Sequence, residues 1–158
     1  MKQMVESVET STGAFVAERI EVEVGDFRFI GRLENQLAPR TCVLFKSLLP
    51  LSASVLHCRW SGESLWVPFL PNEPTLDFEN HTSFPYPGQV LMYAQRFSEP
   101  EILMPYGACS FSSKVGQLAG NHFLTIESGV SALHKLGQDV LWKGAHKISF
   151  RLLSGTNV

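Results

Sequence analysis

His57 and Arg59 are the first residues in the chain whose types and spacing suit a chemical task. Residues two apart on an extended strand point to the same side. The stretch Ser54 to Trp60 reads as such a strand, so it presents a proton-exchanging imidazole beside a permanently charged guanidinium. A guanidinium fork fixes a carboxylate or carbonyl through paired hydrogen bonds. Leu56, Cys58 and Trp60 fall on the opposite side, which the alternation assigns to the core. A second imidazole, His122, stands between Asn121 and Phe123, and Tyr93 and Tyr106 offer phenols on strand-like segments. The candidate ligand-binding residues are therefore His57, Arg59, Tyr93, Tyr106, Asn121 and His122, with Arg59 and His122 as candidate catalytic groups. Each also has a plain structural reading: a surface ion-pair partner for Arg59, backbone hydrogen bonding for His122, and packing for the tyrosines.

Other chemistries find less support. The five histidines include no helical i, i+4 pair and no i, i+2 pair with a second ligand, and there is no CxxC, so no metal is expected. No GxSxG turn marks a serine nucleophile, and no glycine-rich loop marks a bound nucleotide phosphate. No cofactor is expected. Cys42, Cys58 and Cys109 are widely spaced, which reads as free thiols in a reducing compartment rather than a disulfide framework.

The elements that would position these residues follow from periodicity. Ile20, Val22 and Val24 alternate with acids, Gly25-Asp26 intervenes, and Phe27, Phe29 and Leu33 alternate again, as in a hairpin with a type II′ turn. Pro39 suits the first turn of a helix, with Val43, Leu44 and Leu48 as its buried stripe and Pro50 as its stop. Ser54 to Trp60 and Ser64 to Phe69 form a second hairpin around Ser61-Gly62-Glu63. Pro71 to Pro87 is a long, proline-rich connection of the kind that is either functional or mobile. Strands follow at Gln89 to Ala94 and Glu101 to Tyr106. In the first of these, Val90, Met92 and Ala94 face one side and Leu91 and Tyr93 the other. A polar stretch from Gly107 leads to a strand at Asn121 to Ile126. Ser128 then stands as N-cap to a helix with Val130, Leu133, Leu136, Val140 and Leu141 on one face, and Lys143-Gly144 ends it. His146 to Leu153 is the closing strand. Six to eight short strands with two helices predict a mainly β fold, a closed antiparallel barrel with two capping helices. A barrel of this size is filled by its own side chains, so a ligand would lie in an external groove.

With 158 residues, the chain is long enough for one domain with a substantial core; residues 1–13 read as a flexible tail and 14–158 as the domain. A net charge of −2 with no basic run argues against nucleic acid as a partner. No segment has the length and apolarity of a membrane span or signal peptide, so the expectation is a cytoplasmic protein with no membrane partner. A homo-oligomeric state is left open.

The order of several motifs resembles that of the cyclophilins. They are the Ala38-Pro39-Arg40-Thr41 helix start, the His- and Arg-bearing strand Val55 to Trp60, the Pro87-Gly88 strand start, and Asn121-His122-Phe123 running through Glu127-Ser128-Gly129 into a helix. Small bacterial cyclophilin-like proteins of unknown function are more similar still, sharing Ala-Pro-Arg-Thr-Cys, His57 to Gly62, Tyr106-Gly107 and Gly120-Asn121. The resemblance spans about Ile20 to Leu153. It implies the cyclophilin-like barrel, and it implies that Arg59 takes the position of the cyclophilin arginine that bonds the prolyl amide, with His122 near the pocket histidine. Cyclophilins place histidine directly before that arginine, whereas Cys58 separates the two here, and the Gly-Ser-Gln-Phe-Phe pocket segment is missing. Three functions remain: binding or transforming a small carboxylate- or amide-type molecule, prolyl cis-trans isomerisation, or a non-catalytic interaction or subunit role.

Overall fold

A computed structural model describes residues 16–68 and 75–154. The tail expected at 1–13 lies outside them. In chain order the strands are β1 (Arg19–Val24), β2 (Phe27–Leu33), β3 (Leu51–His57), β4 (Gly62–Pro68), β5 (His81–Thr82), β6 (Gln89–Tyr93), β7 (Glu101–Cys109), β8 (Ser112–Ser113), β9 (Gly116–Gln117), β10 (Gly120–Ser128) and β11 (His146–Leu153). The helices are α1 (Pro39–Ser47) and α2 (Leu133–Lys143). The fold is mainly β. Eight strands pair antiparallel in the order β2, β1, β11, β3, β4, β7, β6, β10, and β10 pairs with β2 again, which closes the barrel.

Alternation sends one side of each strand into a dry interior. Ile20, Val22, Phe29, Val55, Leu65, Ile102, Met104, Phe123, Ile148 and Phe150 are buried there. Gly25 takes φ 56° and Asp26 stays at negative φ, as the type II′ turn of the first hairpin requires. The helices close opposite ends of the barrel. Phe45 of α1 packs 4.8 Å from the Phe123 ring and edge-on to Phe150 at 5.5 Å. At the other end Leu133, Leu136 and Val140 of α2 join the core beside Tyr106.

Several boundaries and faces depart from the sequence pattern. The buried stripe of α1 is Thr41, Cys42 and Phe45, while Val43 is exposed, because the helix meets the barrel through its one large aromatic. Ala38 offers no capping side chain, and a distant carboxylate replaces it: Glu79 Oε1 accepts from Thr41 N at 2.6 Å and from Thr41 Oγ1 at 2.7 Å. Ser128 does not cap α2. It ends β10, Gly129 follows at φ 86°, and a 3-10 turn at Val130–Ala132 precedes the helix, leaving Val130 and Leu141 exposed. Strand β3 begins three residues earlier than its alternation suggested, directly after the cis Leu49–Pro50 peptide, and it ends at His57. Val55 faces the core, the reverse of the side expected for it.

Gly137 shows how tightly α2 is seated. A Cβ built there would stand 2.4 Å from carbons of the Tyr106 ring, so only glycine lets the helix approach β7 this closely. Alanine is normally the better helix former by about 1 kcal/mol. Overpacking reverses that preference, and Gly137→Ala is expected to destabilise by about 1–3 kcal/mol in a denaturant titration.

Candidate functional site

A shallow groove of about 50 Å³ lies on the outer face of the barrel, over β4 and β7. Alternation creates its floor: Ile102, Met104 and Tyr106 enter the core, so Glu101 and Leu103 point outward, beside Trp66 of the neighbouring strand. The β3–β4 connection supplies Arg59, Trp60 and Ser61, the β6–β7 connection supplies Ser98 and Glu99, the first residue of β7 is Glu101, and the β8–β9 hairpin supplies Ser112, Ser113 and Lys114. A reciprocal latch holds that hairpin, since the Ser61 hydroxyl donates to Ser112 O at 3.0 Å and accepts from Ser112 N at 3.0 Å. Behind it, Leu91, Tyr93, Leu103, Phe111 and Leu118 form a second, external apolar cluster that stiffens the wall.

Arg59 is held by ring faces rather than by carboxylates. Its guanidinium carbon lies 4.6 Å from the Trp60 ring centre and 5.9 Å from that of Trp66, within cation–π reach. Arg19, Arg28, Arg32, Arg40 and Arg151 each pair with Glu or Asp. Among the described residues Arg59 pairs with none, which leaves its hydrogen-bond donors unspent. Burial, reinforced by Glu99, pushes the Glu101 carboxyl up to about 8, while the Trp66 indole pulls it down. At neutral pH this carboxyl carries a proton and can donate a hydrogen bond.

The sequence-derived candidates disperse over the molecule. His57 and Arg59 do not share a wall, because β3 ends at His57 and the chain bends before Arg59. Instead His57 joins Tyr106 at the α2 end of the barrel. Its Nδ1 donates to Cys58 O at 2.9 Å, so Nε2 accepts from the Tyr106 hydroxyl at 2.7 Å. His134 stacks edge-on against the same phenol at 5.7 Å. Tyr93 lies behind the groove, its hydroxyl accepting from Ser98 N at 3.1 Å. Asn121 is buried as a brace: its amide donates to Thr41 Oγ1 and Asp77 O, each at 3.0 Å, and accepts from Glu79 N at 3.1 Å.

His122 belongs to a separate polar chain on β10 and β2. A register shift between His122 and Leu124 turns His122 and Thr125 to one side. Thr125 Oγ1 donates its single proton to Glu34 Oε1 at 2.5 Å, so it accepts from His122 Nε2 at 2.8 Å, and Nδ1 of a neutral ring keeps its lone pair. Arg32 holds the other Glu34 oxygen at 2.9 Å. The sequence reading missed Trp66, Glu101, Lys114 and the Glu34–Thr125 pair. Glu101 had a legible signal, a lone acid at an outward position of an otherwise apolar strand. The others are assembled only by pairing between remote segments. Among the described residues no three His, Cys, Asp or Glu side chains converge to hold a metal ion, and no helix is long and apolar enough to cross a membrane.

Residues 20–152 match the model of DUF3830, a family of proteins of unknown function. The chain belongs to that family. No curated protein matches this DUF3830 sequence. Among solved structures it is similar to McbB in complex with tryptophan, with 15% identity and a TM-score of 0.67 over 88% of this chain and 46% of McbB. It thus spans about half of McbB's length. It is also similar to the hypothetical protein AF2241 from Archaeoglobus fulgidus, with 13% identity and a TM-score of 0.61 over 87% of this chain and 96% of that one. At these identities the likeness is one of fold.

Burial holds the His122 imidazole below the ordinary histidine range, with Glu34 opposing and Arg32 assisting. Below about pH 6.5 the unfolded chain binds a proton that the folded ring still refuses. Stability from this group is therefore complete above about 6.5 and is lost as the pH falls through the folded value. Denaturant titrations over a falling pH series should show His122→Gln losing less stability than the unmodified chain across that window.

Proposed function

We propose that this DUF3830 protein binds a small carboxylate- or amide-bearing molecule in the external groove at Arg59, on a barrel of the cyclophilin-like kind. The observation that carries the reading is the guanidinium without a carboxylate partner among the described residues, immobilised on two indole rings at the mouth of a concave site. An arginine so placed has given up part of its hydration and keeps its fork for an incoming anion or carbonyl. Ser98, Ser112 and Ser113 add hydroxyls that can orient a small polar group, and the protonated Glu101 can donate to a carbonyl. The closed eight-stranded barrel with a helix at each end supports the cyclophilin-like likeness.

Prolyl isomerisation would need an apolar proline pocket beside Arg59. The groove's other walls carry Glu99, Glu101, Lys114 and serines, which favours a small polar ligand over a proline ring. The apolar recess formed by Phe84, Pro85, Tyr86 and Pro87 against Gly107 and Cys109 does not include Arg59.

A thermal-shift screen with small carboxylates, amides and cyclic imides, alongside a proline-containing peptide, tests the reading. A native-state ligand at a hundredfold excess over its Kd stabilises by about 2.7 kcal/mol. Arg59→Ala is expected to abolish the shift while costing only about 0.5–1 kcal/mol of intrinsic stability, the size of an exposed cation–π contact. A blank screen, or a shift that survives Arg59→Ala, overturns it.

A further inference from the structure

The groove brings together two signs of charge from different elements. Arg59 and Lys114 enter from the β3–β4 connection and the β8–β9 hairpin, Glu99 from the β6–β7 connection and Glu101 from the first position of β7. Trp66 lines the same groove, its ring centre 5.9 Å from the Arg59 guanidinium carbon. A simple carboxylate would satisfy the cations and leave the acids unused. Among the described residues neither Glu99 nor Glu101 forms an ion pair. A ligand carrying an ammonium one carbon away from its carboxylate would use both.

We infer that the occupant of this groove is an α-amino acid or a close zwitterionic relative, with its carboxylate on Arg59 and Lys114 and its ammonium on Glu101 and Glu99. The inference rests on the carboxylate reading above and narrows its ligand class. It also carries a signature that a bare carboxylate lacks. With its pKa pushed up to about 8, Glu101 holds a proton at pH 7. An arriving ammonium favours the ionised carboxylate, so the proton leaves to solvent as the ion pair forms. Among the described residues the charged and titratable groups around Glu101 are Glu99, Arg59, Lys114, the Cys58 thiol and the Tyr93 phenol. Burial pushes Cys58 up to about 12 and raises Tyr93, so neither thiol nor phenol ionises at pH 7 and neither supplies that proton.

The test is calorimetry on the full chain at pH 7, with the standard L-amino acids and the deaminated carboxylate of each, in buffers of different ionisation enthalpy. Expected are at least one amino acid that binds tenfold or more tightly than its deaminated analogue, release of close to one proton per ligand, and loss of both features in Glu101→Gln. Should that variant fold poorly, the buffer dependence of the unmodified chain decides alone. Carboxylates that bind as tightly as the amino acids, or amino acids that bind without proton release, overturn the zwitterion and leave the carboxylate reading standing. No binding by either set overturns both.

Discussion

The pairing of β2 with β10 is the constraint on which the rest depends. These strands lie some ninety residues apart in the chain, and their ladder, from Leu124 opposite Leu33 to Ser128 opposite Ile30, turns a curled sheet into a barrel without a seam. Gly31 makes the joint possible. A Cβ at that position would stand 2.8 Å from the Leu124 side chain and 3.2 Å from Thr125 O, so any larger residue would wedge the strands apart. Closure leaves the eight strands no free hydrogen-bonding edge, and it fixes an interior that only side chains can fill. Function must then sit outside, where outward positions and connections meet.

Closure also explains how acids tolerate the barrel's outer surface. Glu21 is 1% exposed although it points away from the core, because Arg28 of β2 and Arg151 of β11 close over it from both sides. Glu127 is shared in the same way by Arg19 and Arg32. In each case cross-strand pairing brings cation and anion together. Against that background a guanidinium lying on indoles with no carboxylate among the described residues is a departure from the molecule's own habit, and the groove's chemistry is read from it.

The fold was legible in the sequence wherever one period ran uninterrupted. The first hairpin, the alternation of Val90 to Tyr93, the Leu133–Leu136–Val140 face and the closing strand all follow from spacing alone. Legibility failed where one residue resets the phase. Strand β3 starts at Leu51, ahead of its alternating stretch, its end at His57 decouples that residue from Arg59, and the shift after His122 pairs it with Thr125 instead of a groove. The site was half legible. Arg59 stood out by type, but its indole support on Trp66 and the facing acids come from β4 and β7, and no local pattern announces which remote strands will adjoin.

The carboxylate of Glu79 gives α1 a cap that the helix does not itself encode. Asn121 ties the same segment to β10, and Arg40 returns the contact from the helix side. Helix start, connecting segment and barrel strand therefore make one cooperative unit, in which loosening any member exposes the orphan amides of the others. Sequence change in the stretch around Glu79 is thus constrained by the stability of a helix nearly forty residues upstream. An insertion close to residue 79 would be felt first at the end of the barrel that Phe45 plugs, not in the connection that received it.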